Sequence, residues 1–312
     1  MTGGQGTVVR RGPVAARPRT AALVGATFIA FSGIFFRLSE QSPSTATVFR
    51  CLFALPFLAI LAVHERRAAP RPDRRQRAMI LLAGACFAID LLAWQHAVLL
   101  VGAGLATVVA NFQVLIVAAA SWLLLDERPD GRFLAGLPLV LLGAVLISGV
   151  LDASAYGSDP VLGVVFGIVS AIAYSAYLLL IRRANPGGRR TWGSLLEATG
   201  ASVVVAAVAG AIVGDLVLTP GPSALAWLLV VALTSQVVGY GLINGSLPHL
   251  PAAVTSVILL AQPIITLVAA AIILGERPSV IQAAGVAMLL AGVLVAAGPR
   301  RRRDAVVAPT LV

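Results

Sequence analysis

Ten apolar blocks, each about long enough to cross a lipid bilayer, divide this chain. A helix rises about 1.5 Å per residue, so roughly 20 apolar residues span the hydrocarbon core. Such blocks run over residues 20–38, 44–63, 78–98, 104–125, 132–150, 160–182, 192–214, 223–243, 252–274 and 279–297. Turn-forming residues mark several boundaries: Ser42-Pro43, Pro70 and Pro72, Pro129-Asp130-Gly131, Asp159-Pro160, Pro186-Gly187-Gly188, Pro220-Gly221-Pro222 and Pro278. A closed barrel, the other spanning structure, alternates apolar and polar residues, whereas these blocks are continuous. The sequence therefore predicts an all-α integral membrane protein of ten transmembrane helices. Composition agrees: 59% of residues are hydrophobic and 12% charged, against about 25% charged in a soluble domain.

The placement of arginine orients the helices. All 23 basic residues are Arg, and the formal charge is +10. A basic chain can bind nucleic acid, but here the arginines lie in short runs between apolar blocks, which points to the membrane surface and not to a nucleic-acid partner. With a cytoplasmic N-terminus, twenty of them fall in inner segments, Arg37 and Arg277 fall outside, and Arg50 lies within a helix. Excess positive charge stays on the cytoplasmic side, so both termini are expected in the cytoplasm of a multi-pass protein of the inner or plasma membrane. Residues 1–19 read as a disordered cytoplasmic segment and residues 299–312 as an Arg-rich cytoplasmic tail. The first apolar block is long enough to be a permanent helix and lacks the cleavage pattern of a signal peptide.

The chain also repeats itself. Under a shift of 149, residues 97–149 align with 246–298 without a gap, and 14 of the 53 positions are identical. Aliphatic pairs coincide through composition alone, so the weight falls on the rest. Glu127-Arg128-Pro129 meets Glu276-Arg277-Pro278, Gln113 meets Gln262, and Gly136, Gly143 and Gly149 meet Gly285, Gly292 and Gly298. Further upstream the shift becomes 143, where Ala30-Phe31-Ser32-Gly33 resembles Ala173-Tyr174-Ser175-Ala176. Each half, 20–150 and 160–298, then holds five helices. An odd number reverses the second copy in the membrane, placing Glu127 inside and Glu276 outside. Inverted repeats are a common architecture of secondary transporters, which bind substrate near midplane between the halves.

Five plus five helices, the Glu-Arg-Pro loop after helices four and nine, and a Ser-Pro turn before an Arg-bearing second helix resemble the drug/metabolite transporter superfamily, EamA type, over about residues 20–298. The resemblance implies a bundle with a central cavity, alternating access, and often export of amino acids, drug-like compounds or other metabolites. In one respect the copies differ: helix nine has Gln262-Pro263 where helix four has Gln113-Val114, so a proline kink is expected in one copy only.

Polar residues within the blocks are the candidates for a substrate or coupling site. Asp90 lies near the middle of helix three, where a charge costs about 2.5–3.5 kcal/mol to insert; it either serves substrate or a coupling proton, or is a hydrogen-bonded link to another helix. Trp94, one turn on, is either a cavity wall beside Asp90 or an interfacial aromatic. Arg50 is placed to bind a carboxylate, to pair with Asp90, or to snorkel outward. Glu197 sits in the inner third of helix seven, in reach of the Arg182–Arg190 loop. Gln113 and Gln262 are repeat-related and mid-membrane, which suits either a site on the pseudo-two-fold axis or interhelical hydrogen bonding. Gln236, Tyr240 and Asn244 form a stripe on helix eight, and Ser170, Tyr174 and Tyr177 one on helix six; both stripes should face the bundle. Glu127 and Glu276 read as structural, with Asp130 and Ser279 as N-caps for helices five and ten. The repeated glycines of helices five and ten give them smooth packing faces, and these two helices are expected at the periphery while three, four, eight and nine line the cavity.

Enzyme signatures and metal-ligand spacing are absent, as is the phosphate-cradling loop of ATPases. Cys51 and Cys86 lie in apolar blocks with no partner at ligand spacing and read as core residues. No cofactor is called for. Transport of a small-molecule substrate would be facilitated or driven by a proton or ion gradient, with Asp90 the acid placed to carry the coupling proton. A membrane-embedded enzyme and a passive channel are the alternatives, and self-association is left open.

Overall fold

The computed structural model of the protein describes residues 17–66, 71–125, 131–147, 151, 154–185, 190–246, 249–250, 258–259 and 261–297. The expected disordered N-terminal segment, apart from residues 17–19, lies outside them, as do the Arg-rich tail and the Glu127-Arg128-Pro129-Asp130 loop. The described residues form helices and turns, with no strand among them.

The first half contains α1 (Pro18–Ala30), α2 (Ser32–Ser39), α3 (Pro43–Arg66), α4 (Arg74–Val101), α5 (Ala103–Ala110), α6 (Gln113–Leu125) and α7 (Gly131–Ile147). The second contains α8 (Pro160–Ala184), α9 (Thr191–Val213), α10 (Pro222–Val231), a π-helical stretch (Ala232–Gly239), α11 (Tyr240–Ser246), α12 (Ala261–Ile273) and α13 (Val280–Ala297). Caps set several starts. Asp73 and Gln76 form a reciprocal capping box at α4. Asp159 accepts from Leu162 N at α8, with Pro160 at its first position. Ser279 and Gln282 exchange the same pair of bonds at α13, as Ser279 was expected to do.

Among the described residues, six stretches are long and apolar enough to cross a membrane: Pro18–Ser39, Pro43–Glu65, Arg74–Val101, Pro160–Ala184, Thr191–Val213 and Pro222–Ser246. Four shorter apolar helices, Ala103–Val117, Leu134–Ile147, Ala261–Ile273 and Val280–Val295, fall in the remaining expected blocks.

Three of the apolar segments are irregular part-way along their length. The first turns at Phe31 between α1 and α2, and the hydroxyl of Thr266 donates to the freed Ala30 carbonyl at 2.8 Å. The fourth breaks at Asn111-Phe112, where the backbone bonds tighten to three-residue spacing and Asn111 Nδ2 donates to Thr107 O at 2.8 Å. The eighth widens into the π-helical stretch that holds Gln236. A kink was expected only beside Pro263, yet helix four is interrupted without a proline. An asparagine that bonds its own helix's carbonyl competes with the helical ladder and supplies the cause. Irregular backbone at membrane depth is tolerated where protein or a wet cavity covers it.

The halves interlock. Helix α4 packs on α8, α3 on α9, α5 on α12, α1 on α11, and α7 on α13, so each pair takes one member from each repeat. The glycines of the last pair show why their side chains are missing. A Cβ on Gly143 would lie 2.7 Å from Gly285 O, and one on Gly292 would lie 2.8 Å from Gly136 O. Shifting the first contact by 149 residues converts one partner set into the other, so this interface obeys the repeat seen in the sequence.

Candidate functional site

A cavity of about 60 Å³ lies where the three irregular segments meet. Ile29 and Ser32 flank the Phe31 turn, Ala110, Asn111 and Gln113 flank the break in the fourth segment, and Tyr240 follows the π-helical stretch; all of them line it. Opposite charges also line it. Arg50, from α3, is 1% exposed and Asp90, from α4, is 6% exposed.

Neither charge is spent on the other. Arg50 donates to Ser32 Oγ at 3.1 Å and to Gln236 Oε1 at 3.3 Å, and its Nε has no partner. Gln236 in turn donates to Thr199 Oγ1 at 3.1 Å. Asp90 accepts from Ser170 Oγ at 2.6 Å. The salt bridges among the described residues do not join Arg50 to Asp90. The carbonyl oxygens of the Asn111 and Gln113 side chains are also buried without partners. A buried polar atom left unpaired costs about 1–3 kcal/mol, so the cavity offers a donor and several acceptors to whatever polar group enters it.

Aromatic rings form the walls. Trp94 and Tyr174 line the cavity beside Tyr240, and behind them Phe87 stacks on Tyr177 at 4.7 Å and meets Tyr240 edge-on at 4.8 Å. Asn244 Nδ2 donates to the Tyr177 hydroxyl at 2.8 Å, which joins the two polar stripes. Gly33 leaves room for Trp94, since a Cβ there would sit 3.2 Å from the indole.

A second polar cluster joins α5 to the connection between α12 and α13. The Glu276 carboxylate, 4% exposed, accepts from Ala103 N at 2.7 Å and Gly104 N at 3.1 Å, the first amides of α5. A carboxylate there satisfies amides that have no partner within the helix and complements the helix dipole. Gly102, at φ +90°, permits the approach, because a Cβ would lie 2.8 Å from the carboxylate. Gln282 accepts from Tyr156 N at 2.7 Å and donates to Tyr156 O and Ile147 O. Burial and then the Glu276 charge push the Tyr156 phenol above its ordinary value, with Arg37 opposing, so the phenol stays neutral beside the carboxylate.

A model of the EamA-like transporter family matches residues 19–149 and again residues 161–298. The chain belongs to the EamA-like transporter family. No curated protein matches it. A crystal structure of a protein is similar to it with a TM-score of 0.62 at 17% identity, over 89% of this chain and 97% of that one; a likeness at that identity concerns the fold alone.

Within this EamA-like chain the structure gathers seven of the eight sequence-derived site residues around one cavity: Asp90, Trp94, Arg50, Gln113, Tyr240, Gln262 and Tyr174. Gln236 stands behind it as the support for Arg50. Helices three, four, eight and nine contribute as expected, and helices one, two and six contribute too, through Ile29, Ser32, Arg50, Ser170 and Tyr174. Among the described residues, none from α7 or α13 lines the cavity. Glu197 meets Arg190 at 2.7 Å and Arg77 at 3.5 Å, which anchors it to the Arg-rich end. Sequence reasoning missed Ser32, Thr107 and Asn111. Thr107 and Asn111 are one helical turn apart in an otherwise apolar block, a signal of the same kind as the two stripes it did use.

Proposed function

We propose that this chain is a secondary transporter that carries a small zwitterionic or amphipathic metabolite, such as an amino acid or drug-like compound, by alternating access, probed best in the export direction. It crosses the plasma or inner membrane ten times, as two inverted five-helix repeats with both termini cytoplasmic. The observation that carries this reading is the pair of opposite charges, Arg50 and Asp90, buried on one small cavity and not neutralised by each other. A substrate carboxylate fits the free edge of the Arg50 guanidinium, a substrate amine fits Asp90 with the Asn111 and Gln113 oxygens, and the aromatic walls take an apolar side chain. Ligand sites are usually about 300–1,000 Å³, so this cavity holds only a few waters and corresponds to a contracted state. Substrate enters when the halves part. Asp90 exchanges a proton as substrate arrives, which couples uphill movement to a pH gradient.

Reconstitution into liposomes with a panel of amino acids, drugs and nucleotide sugars tests the assignment. Wild type should take up at least one zwitterionic compound saturably, and Asp90→Asn, whose amide oxygen can still accept from the substrate amine, should bind it more weakly and only equilibrate it. Uphill transport by a correctly inserted Asp90→Asn at the wild-type rate would refute the coupling role.

A further inference from the structure

A second cavity, of about 390 Å³, lies apart from the first at the Arg-rich end of the bundle, between the last turn of α3, the segment leading into α4 and the first turns of α9. Ala62, Glu65, Arg71, Arg77, Arg190 and Glu197 line it. Its two acids are already engaged. Glu65 accepts from Gly193 N at 2.8 Å, at the start of α9. Glu197 is held by Arg190 at 2.7 Å, which also fixes Arg190. Arg71 has no hydrogen-bond or ion-pair partner among the described residues, and Arg77, whose side chain is 66% exposed, has one contact at 3.5 Å. The cavity is thus a polar socket in which the Arg71 guanidinium is unpartnered among the described residues and that of Arg77 is held only by the longer contact to Glu197.

We propose that this socket binds a phosphate-bearing anion, held by Arg71 and Arg77, and that in the membrane this anion is the headgroup of an acidic phospholipid. Planar guanidinium forks match phosphate oxygens, and each such bond is charge-assisted. Location argues for the lipid. The helix that supplies Ala62 and Glu65 also exposes Ile60 and Val63, 59% and 51%, on the side turned away from those two residues, so apolar surface adjoins the socket around α3. Basic pockets between helix ends on the cytoplasmic side suit anionic headgroups. General attraction to an acidic surface is a different effect, and the same chain supplies its control: Arg74 and Arg75 are exposed on the same end but do not line the socket.

The test compares Arg71→Gln/Arg77→Gln with the charge-matched Arg74→Gln/Arg75→Gln in purified, delipidated full-length protein. Each is titrated with phosphatidylglycerol, with phosphatidylcholine and with inorganic phosphate, reading bound lipid by native mass spectrometry and the shift in unfolding temperature. Wild type and Arg74→Gln/Arg75→Gln should retain phosphatidylglycerol alike, and Arg71→Gln/Arg77→Gln should bind it at least about tenfold more weakly, the loss of one or two charge-assisted bonds. An equal, Arg71/Arg77-dependent shift with inorganic phosphate alone would keep the anion site and assign it to a soluble phosphate. Equal losses in the two double variants, or no preference for phosphatidylglycerol over phosphatidylcholine, would overturn the proposal. Neither pair touches the central cavity, so this outcome is independent of the transport assays.

Discussion

Replacing Glu276 should change which side of the bundle is open. Among the described residues its carboxylate is the partner of two amides at the start of α5, and it joins the α12–α13 connection to the first half. Hydrogen bonds to a charged acceptor contribute about 1.5–3 kcal/mol each, and a carboxylate at a helix N-terminus adds about 0.3–1 kcal/mol through the dipole. Glutamine keeps one acceptor oxygen and presents an NH₂ to the other amide, so Glu276→Gln loses about one charged bond. Alanine loses both. Parting α5 from the α12–α13 connection would break these bonds, so the loss weighs on the state in which the two are joined. A bias of about 2 kcal/mol alters the open-to-shut ratio roughly thirtyfold. Thr107 lies one turn into α5 and lines the central cavity, which makes Thr107→Cys a reporter in a Cys51→Ser/Cys86→Ser background. Modification of that cysteine by a membrane-impermeant thiol reagent, applied from the side opposite the Arg-rich face, should quicken in Glu276→Gln and quicken further in Glu276→Ala. Unchanged labelling in both would show that the carboxylate does not hold this end closed.

Four further outcomes are expected. Arg50→Gln should raise the KM for a transported zwitterion by about tenfold or more, since a charge-assisted contact to substrate is lost, while inverted or random effects on apolar substrates would count against a carboxylate contact. Gly285→Leu should lower the unfolding temperature in detergent markedly, by overpacking of about 1–3 kcal/mol or more, because even a Cβ would stand 2.8 Å from Gly143 O and from Leu146; wild-type stability would mean the helices can move apart freely. Tyr177→Phe should cost about 1–3 kcal/mol, as Asn244 loses the partner of its Nδ2 while its oxygen is already unpaired. A reporter fused after Val312 should register as cytoplasmic, and a signal from the opposite side would defeat the ten-helix topology.

The site was legible largely because polar residues are rare in these segments. Asp90 and Arg50 announced themselves as charges in apolar blocks, and the stripes on helices six and eight pointed inward for the same energetic reason. The breaks were less visible. Helix four reads as one uninterrupted apolar run, and only the pairing of Thr107 with Asn111 marks where the backbone yields. At Phe31 the cause lies elsewhere in the chain, in a Thr266 hydroxyl that offers the loosened carbonyl a partner. Glu276 was read as structural, and the sequence places it beside α13, whereas its bonds go to α5, in the other repeat. The Arg50–Gln236–Thr199 chain crosses both halves, and no local pattern encodes such a connection.

The glycine contact between α7 and α13 has a mechanical meaning. Helices that interlock through large side chains must climb over one another to turn, and the clash of knobs sets the barrier. Here the backbones touch directly at Gly143 with Gly285 and at Gly136 with Gly292, so rotation about the contact meets little relief to climb. Close approach also keeps the two rods from drifting apart. Such a contact behaves as a bearing: it fixes the spacing of the halves at one edge and leaves their relative angle soft. A small turn there is magnified with distance, and the contacts that must accommodate it are those joining the halves, the Arg50–Gln236 and Ser170–Asp90 bonds at the cavity among them.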